Sequence, residues 1–186
     1  MRINEIFYSL QGEGHFTGHA AVFVRLSGCN LRCDFCDTRH ESGRDMTVDE
    51  ILQSIDQFES RHVVITGGEP SLQLTEEFVD RLHDRGWYVQ VETNGTHPVP
   101  ANVDWITCSP KGAPIVLDRI NELKVVYWGQ DITTYEQMKA DEYRLQPCDT
   151  GDALRNAENI SLAVSYIKAN PIWSLSLQTH KLIQIP

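Results

Sequence analysis

Apolar residues follow two alternating rhythms along the chain. The run "AVFVRL" (residues 21–26) is nearly all apolar, as a strand buried on both faces reads. Residues 47–58 then place Val48, Ile51, Leu52, Ile55 and Phe58 at helical spacing behind Thr47 and Glu50, a capping box. "HVVIT" (62–66) predicts the next strand, and a helix through Phe78, Val79 and Leu82 follows, stopped by Gly86. Strands are further predicted over 87–93, 105–109, 122–127 and 142–147, and a long helix over 153–168. Strands alternating with helices imply an α/β fold with a mostly parallel sheet and right-handed crossovers.

Motifs rich in polar residues, Gly and Pro fall just beyond the strand ends: three cysteines after the first, "GGEP" after the second, "TNG" after the third, "SPK" after the fourth and "QPCD" after the sixth. In parallel α/β folds that edge builds the site. A complete eight-stranded barrel needs about 250 residues. A chain of 186 residues therefore predicts a single domain, residues 1–186, folded as an open partial (βα)6-type TIM-like barrel, with the two chain ends available to close its open side.

Composition narrows the chemistry. A net charge of −10 and a pI near 5.1 argue against a nucleic-acid surface, which leaves a basic footprint. No run of about 18 apolar residues is present to span a membrane, and the N-terminus lacks the apolar stretch of a secretory signal. The cytoplasm is the expected compartment, where close-set cysteines stay reduced and point to a metal rather than to disulfides.

Cys29, Cys33 and Cys36 form C-x3-C-x2-C on a loop marked by Gly28, Asn30 and Asp34. A [4Fe–4S] cube has one ligand position per iron, so three thiolates leave one iron open. Zinc completed by His40, Asp37 or Cys108 is the alternative on these residues alone, although structural zinc loops more often pair two C-x2-C knuckles.

The cysteine motif after the first strand, with "GGEP" (67–70) after the second, resembles the radical S-adenosylmethionine enzymes. That resemblance implies an open iron that chelates the methionine part of S-adenosylmethionine, and one-electron cleavage to a 5′-deoxyadenosyl radical. "FYSLQGEG" (7–14), "FVRLSGCNLRC" (23–33), "CDT" (36–38), "ETNGT" (92–96), "SPK" (109–111), "QP" (146–147) and the terminal "HKLIQIP" (180–186) extend it over almost the whole chain. Together they are similar to the 7-carboxy-7-deazaguanine synthases, which contract the ring of 6-carboxy-5,6,7,8-tetrahydropterin with loss of ammonia on the route to queuosine and related 7-deazapurines.

The resemblance also implies the site. Cys29, Cys33 and Cys36 would hold the cluster, and Thr38 a Mg²⁺ that also binds substrate. Gly68, Glu69, Gly95, Ser109, Pro110, Lys111, Gln146, Pro147, Cys148 and Asp149 would meet S-adenosylmethionine. Leu10, Gln11, Gly12, Glu13, Arg25, Thr93 and Pro186 would meet the substrate, Arg25 clamping its carboxylate and Glu13 accepting from its amino group. Cys148 stands where an apolar residue is more usual, and a small free cysteine serves as one. The implied partners are the pterin, an external one-electron reductant such as flavodoxin, and a second copy in a homodimer, with neither nucleic acid nor membrane. A glycyl-radical activating enzyme shares the cysteine loop, but "LQGEG" and "IQIP" speak against it; a non-catalytic zinc or iron–sulfur module is the remaining alternative.

Overall fold

A computed structural model describes residues 1–36, 38 and 40–186. Among the described residues nine strands form one sheet: β1 (Arg2–Leu10), β2 (Ala20–Leu26), β3 (Arg44–Asp45), β4 (His62–Gly67), β5 (Tyr88–Thr93), β6 (Trp105–Cys108), β7 (Glu122–Tyr127), β8 (Glu142–Pro147) and β9 (Trp173–Leu175). Their order is β3-β1-β2-β4-β5-β6-β7-β8-β9, an unclosed sheet with β3 and β9 at its edges. From β2 to β9 every pairing is parallel, whereas β1 runs antiparallel to both β2 and β3. This is the open partial barrel that the sequence predicts.

The helices are fewer than six full units would supply. Helix α1 (Val48–Asp56) precedes β4, α2 (Glu76–His83) precedes β5, and α4 (Ala153–Ala169) joins β8 to β9. The β5–β6 and β6–β7 connections are irregular, because Pro98 and Pro100 in one and Pro110, Gly112 and Pro114 in the other interrupt helical hydrogen bonding. A single turn, α3 (Thr133–Glu136), links β7 to β8, and another short helix, α5 (Thr179–Ile183), ends the chain.

Strand periodicity divides the interior. One face of the sheet packs Val22, Val24, Leu26, Ile65, Val89 and Val91 against Ile51, Leu52 and Ile55 of α1 and Phe78, Val79 and Leu82 of α2. Helix α1 starts where the capping box places it: Thr47 Oγ1 accepts from Glu50 N at 3.2 Å, and Glu50 Oε2 accepts from Thr47 N at 2.7 Å. The opposite face carries an apolar cluster of Phe7, Ala21, Phe23 and Val64. Further round it presents Arg25, Gln90, Glu92, Lys124 and Gln146, and this polar inner face forms the site.

The chain ends close the open side as expected. Phe16, in the loop after β1, packs edge-on to His62, Tyr88 and Trp105, covering the strand starts. At the mouth, Gly12 O accepts from Thr179 N at 2.9 Å, and Pro186 O accepts from Ser9 Oγ at 2.9 Å. Among the described residues no helix is long and apolar enough to cross a membrane.

Candidate active site

A cavity of about 690 Å³ opens at the C-terminal ends of the parallel strands, and all three loop cysteines line it. Leu31 N donates to Cys29 Sγ at 3.4 Å, and Cys36 N donates to Cys33 O at 3.1 Å, which folds the loop so that its sulfurs share one space. All the cysteines are free thiols. Burial pushes the Cys33 thiol up, Lys111 pulls it back, and the Cys36 and Cys29 sulfurs push it up further. Bound iron reverses that logic and takes the thiolates.

Among the described residues no three His, Cys, Asp or Glu side chains converge on one metal ion, as a tetrahedral zinc requires. A cube asks only for one thiolate per iron at separate corners, so the loop fits a cluster better than zinc. Asp37, one of the alternative zinc ligands, lies outside the described residues. Cys108, another, is fully buried, and burial pushes its thiol up to about 12.

The "GGEP" turn is locked to the cysteine loop by backbone contact. Glu69 N donates to Gly28 O at 2.8 Å, and a Cβ on Gly68 would lie 1.9 Å from that same oxygen. Gly68 lines the cavity, but Glu69 does not. The Glu69 carboxylate is wholly buried: Oε1 accepts from Thr93 Oγ1 (2.6 Å), Ser71 Oγ (2.6 Å) and Ser71 N (3.0 Å), and Oε2 accepts from Asn94 N (2.7 Å). Its side chain therefore braces "ETN" against "GGEP", and its backbone N–H is given to the cysteine loop, so Glu69 stands behind the cavity wall rather than on it. Thr93 lines the cavity, whereas Gly95 and the buried Pro110 stand behind it.

On the same side lie Ser109 and Lys111, whose Nζ donates to Ser109 Oγ at 3.1 Å and sits 5.1 Å from the Phe35 ring centre. Burial pulls the Lys111 ammonium below its ordinary value, and repulsion from Lys124 adds to this. Gln146, Pro147, Cys148 and Asp149 form the next wall. Asn159 of α4 holds the Cys148 carbonyl at 2.8 Å, and Lys181 binds Asp149 at 2.8 Å, holding that carboxyl at about 2.

Across the cavity, Arg25 Nη1 donates to Thr38 Oγ1 at 3.1 Å. Arg25 Nε lies 2.8 Å from Glu5 Oε1, an ion pair by distance, but too far out of line to count as a hydrogen bond. A Mg²⁺ at Thr38 would sit beside a guanidinium, so an anionic oxygen must come between the two cations. A substrate carboxylate supplies one, and in that sense Thr38 and Arg25 fit the metal.

Leu10, Gln11, Gly12, Glu13 and Pro186 also line the cavity. The sequence did not single out the residues on which Glu13 rests. Lys124 Nζ donates to Glu13 Oε2 at 2.7 Å and to Glu92 Oε2 at 2.8 Å, while Gln178 Nε2 donates to Glu13 Oε1 at 2.8 Å. Burial alone raises Glu13, but the charge and hydrogen bond of Lys124 overrule it and hold the carboxyl at about 2. A lysine inside the apolar strand "ELKVVY" was the signal that could have revealed this group.

The chain is similar in sequence and fold to known proteins. A family model for the radical SAM superfamily matches residues 23–163. The 7-carboxy-7-deazaguanine synthase of Bacteroides thetaiotaomicron is 53% identical over 185 residues, covering 99% of this chain and 98% of that protein. The synthase of the same name from Bradyrhizobium diazoefficiens is 40% identical over 209 residues, covering 98% of each. Among solved structures, QueE from Escherichia coli superposes with a TM-score of 0.79 at 34% identity, over 96% of this chain and 94% of that one.

Proposed function

Because this chain belongs to the radical SAM superfamily, and within it to the 7-carboxy-7-deazaguanine synthases, we propose that its 186 residues act as one catalytic domain with the residue roles set out below. It is a lyase that converts 6-carboxy-5,6,7,8-tetrahydropterin to 7-carboxy-7-deazaguanine with loss of ammonia, using a [4Fe–4S] cluster, S-adenosylmethionine and Mg²⁺. Cluster and S-adenosylmethionine supply the one-electron chemistry that removes a substrate hydrogen; the protein orients the reactants and keeps water out.

Cys29, Cys33 and Cys36 would hold the cluster by their thiolates. Gly68, with Ser109, Lys111 and residues 146–149, borders S-adenosylmethionine; Glu69, Gly95 and Pro110 support that wall from behind. Arg25 offers a planar pair of donors to the substrate carboxylate, and Thr38 would offer a neutral oxygen to Mg²⁺. Glu13, held ionised, accepts from the pterin edge, beside Leu10, Gln11, Gly12 and Thr93. Pro186 closes the pocket. The reading extends to a homodimer in the cytoplasm, reduced by a one-electron donor such as flavodoxin.

The observation that carries these roles is the shared cavity, which the three thiols, Arg25 and Glu13 all line. The test is anaerobic incubation of reconstituted protein with S-adenosylmethionine, reductant, Mg²⁺ and the carboxy-tetrahydropterin, following the deazaguanine chromophore. Product should require every component. Failure to form product by protein that holds its cluster and binds S-adenosylmethionine would overturn the reading.

A further inference from the structure

In the cavity wall, the inward faces of β5 and β7 set Glu92 and Lys124 against Glu13. The Lys124 side chain is only 4% exposed, and its Nζ donates to one oxygen of each carboxylate, at 2.7 Å to Glu13 and 2.8 Å to Glu92. Two carboxylates sharing one ammonium leave this buried group one negative charge in excess. Glu92 Oε1 is occupied by Gln11 Nε2 (3.3 Å) and Gln90 Nε2 (3.1 Å). Glu13 Oε1 receives Gln178 Nε2. A carboxylate has about four acceptor sites, so Glu13 keeps lone pairs for a ligand while offering it no proton.

We infer that Lys124 is a specificity-determining positioning residue that fixes Glu13 as a purely accepting, anionic edge, so that the pocket takes a heterocycle with two adjacent N–H donors and rejects one that presents a carbonyl there. For a pterin-like ligand this means the 2-amino-4-oxo edge over the 2,4-dioxo edge. The inference rests on the pterin reading of the cavity.

Other charged groups around the pair do not replace Lys124. His180 of α5 faces Glu13 and lowers it more weakly. Lys124 itself is held protonated against its burial by Glu13, Glu92 and Glu122, with Arg144 paired opposite it on β8 and Lys111 repelling it from above. Without Lys124 the burial of Glu13 is largely unopposed, and its carboxyl moves up toward the range in which it takes a proton.

The test uses reconstituted holoenzyme with S-adenosylmethionine and two fluorescent probes, 6-carboxypterin and 6-carboxylumazine, titrated from about pH 5 to pH 7. Wild-type protein should bind the 2-amino probe roughly tenfold to hundredfold more tightly, with a ratio that does not change with pH. In Lys124→Met the ratio should fall toward one, and pterin binding should weaken as pH drops. Glu92→Gln leaves Lys124 on Glu13 and should keep the wild-type ratio, an outcome that a merely structural role for the triad would not give. If Lys124→Met does not fold, Lys124→Met with Glu92→Gln removes one charge of each sign and gives the same readout. An unchanged, pH-independent ratio in the Lys124 variant overturns the inference, as does a wild-type ratio near one in protein that makes product. If neither probe binds protein that binds S-adenosylmethionine, the pterin reading fails and the inference with it.

Discussion

Replacing Glu69 by glutamine isolates what the "GGEP" turn does, because the change keeps the shape and removes one acceptor oxygen. Of the donors on Glu69, the two backbone N–H groups cannot turn round, and they sit on opposite oxygens: Ser71 N on Oε1 and Asn94 N on Oε2. However the amide is oriented, its NH₂ faces one of them. The Ser71 and Thr93 hydroxyls can rotate to accept instead, though Thr93 Oγ1 already accepts from Gly95 N at 3.0 Å.

A buried donor left unpaired costs about 1–3 kcal/mol, and hydrogen bonds to a charged group are worth more than neutral ones, so the change should cost about 2–4 kcal/mol. For a chain of this size each kcal/mol lowers the thermal midpoint by about 2–4 °C. Scanning calorimetry on reconstituted protein should therefore show a fall of about 4–16 °C, with iron content unchanged and weaker binding of S-adenosylmethionine, since Thr93 and Asn94 lose their brace. Glu59→Gln, at an exposed position, is the control and should shift the midpoint by no more than about 2 °C. A Glu69→Gln midpoint within that control range would refute the bracing role.

Cys29→Ala, Cys33→Ala and Cys36→Ala should each lose the cluster, measured as iron per chain against about four in the native protein, while Cys108→Ala and Cys148→Ala should keep it; the reverse pattern would overturn the ligand set. Arg25→Ala should bind S-adenosylmethionine normally and lose affinity for the substrate by roughly tenfold or more; Arg25→Lys should not restore it, because the planar fork is missing. Extending the chain beyond Pro186 by several Gly and Ser residues should raise the apparent KM or abolish turnover, with iron content and thermal midpoint nearly unchanged. Native kinetics in the extended protein would remove Pro186 from the site.

What could be read from the sequence follows from where each element is buried. Strands β2, β4, β6 and β7 have helices or loops on one face and the barrel interior on the other, so their apolar runs stand out, whereas β5 ("YVQVET") and β8 ("EYRLQP") interleave apolar with polar residues and show mainly by the turn motifs that follow them. Strand β1, "RINEIFYSL", mixes exposed and buried positions without a clean period, and β9 is only three residues long, so neither announces itself. Within the site, the cysteines, "GGEP" and "SPK" are local clusters whose spacing carries their chemistry. The support under Glu13 is not local: Lys124 is 111 residues away and Gln178 165, and only the curved, folded sheet brings them together. The orientation of Glu69 was equally hidden, because a turn sequence does not say which way its one charged side chain points.

Two glycines show why short motifs in this chain can nonetheless report long-range assembly. A Cβ on Gly68 would lie 1.9 Å from Gly28 O, and one on Gly12 would lie 2.1 Å from His180 Nδ1. The first contact presses the strand-end turn onto the cysteine loop, and the second presses the N-terminal loop onto the C-terminal helix. Neither leaves room for a side chain, so each motif carries glycine because of a neighbour far along the chain. The cysteine loop is thus registered to the barrel by a close backbone contact and the loop at Gly12 by the His180 side chain, and Lys181 on Asp149 ties the C-terminal segment to the wall at residues 146–149. On the proposed roles, a substrate seated against Glu13 and Pro186 would meet a wall whose position the cofactor side also sets, which would let a small open barrel align its two ligands.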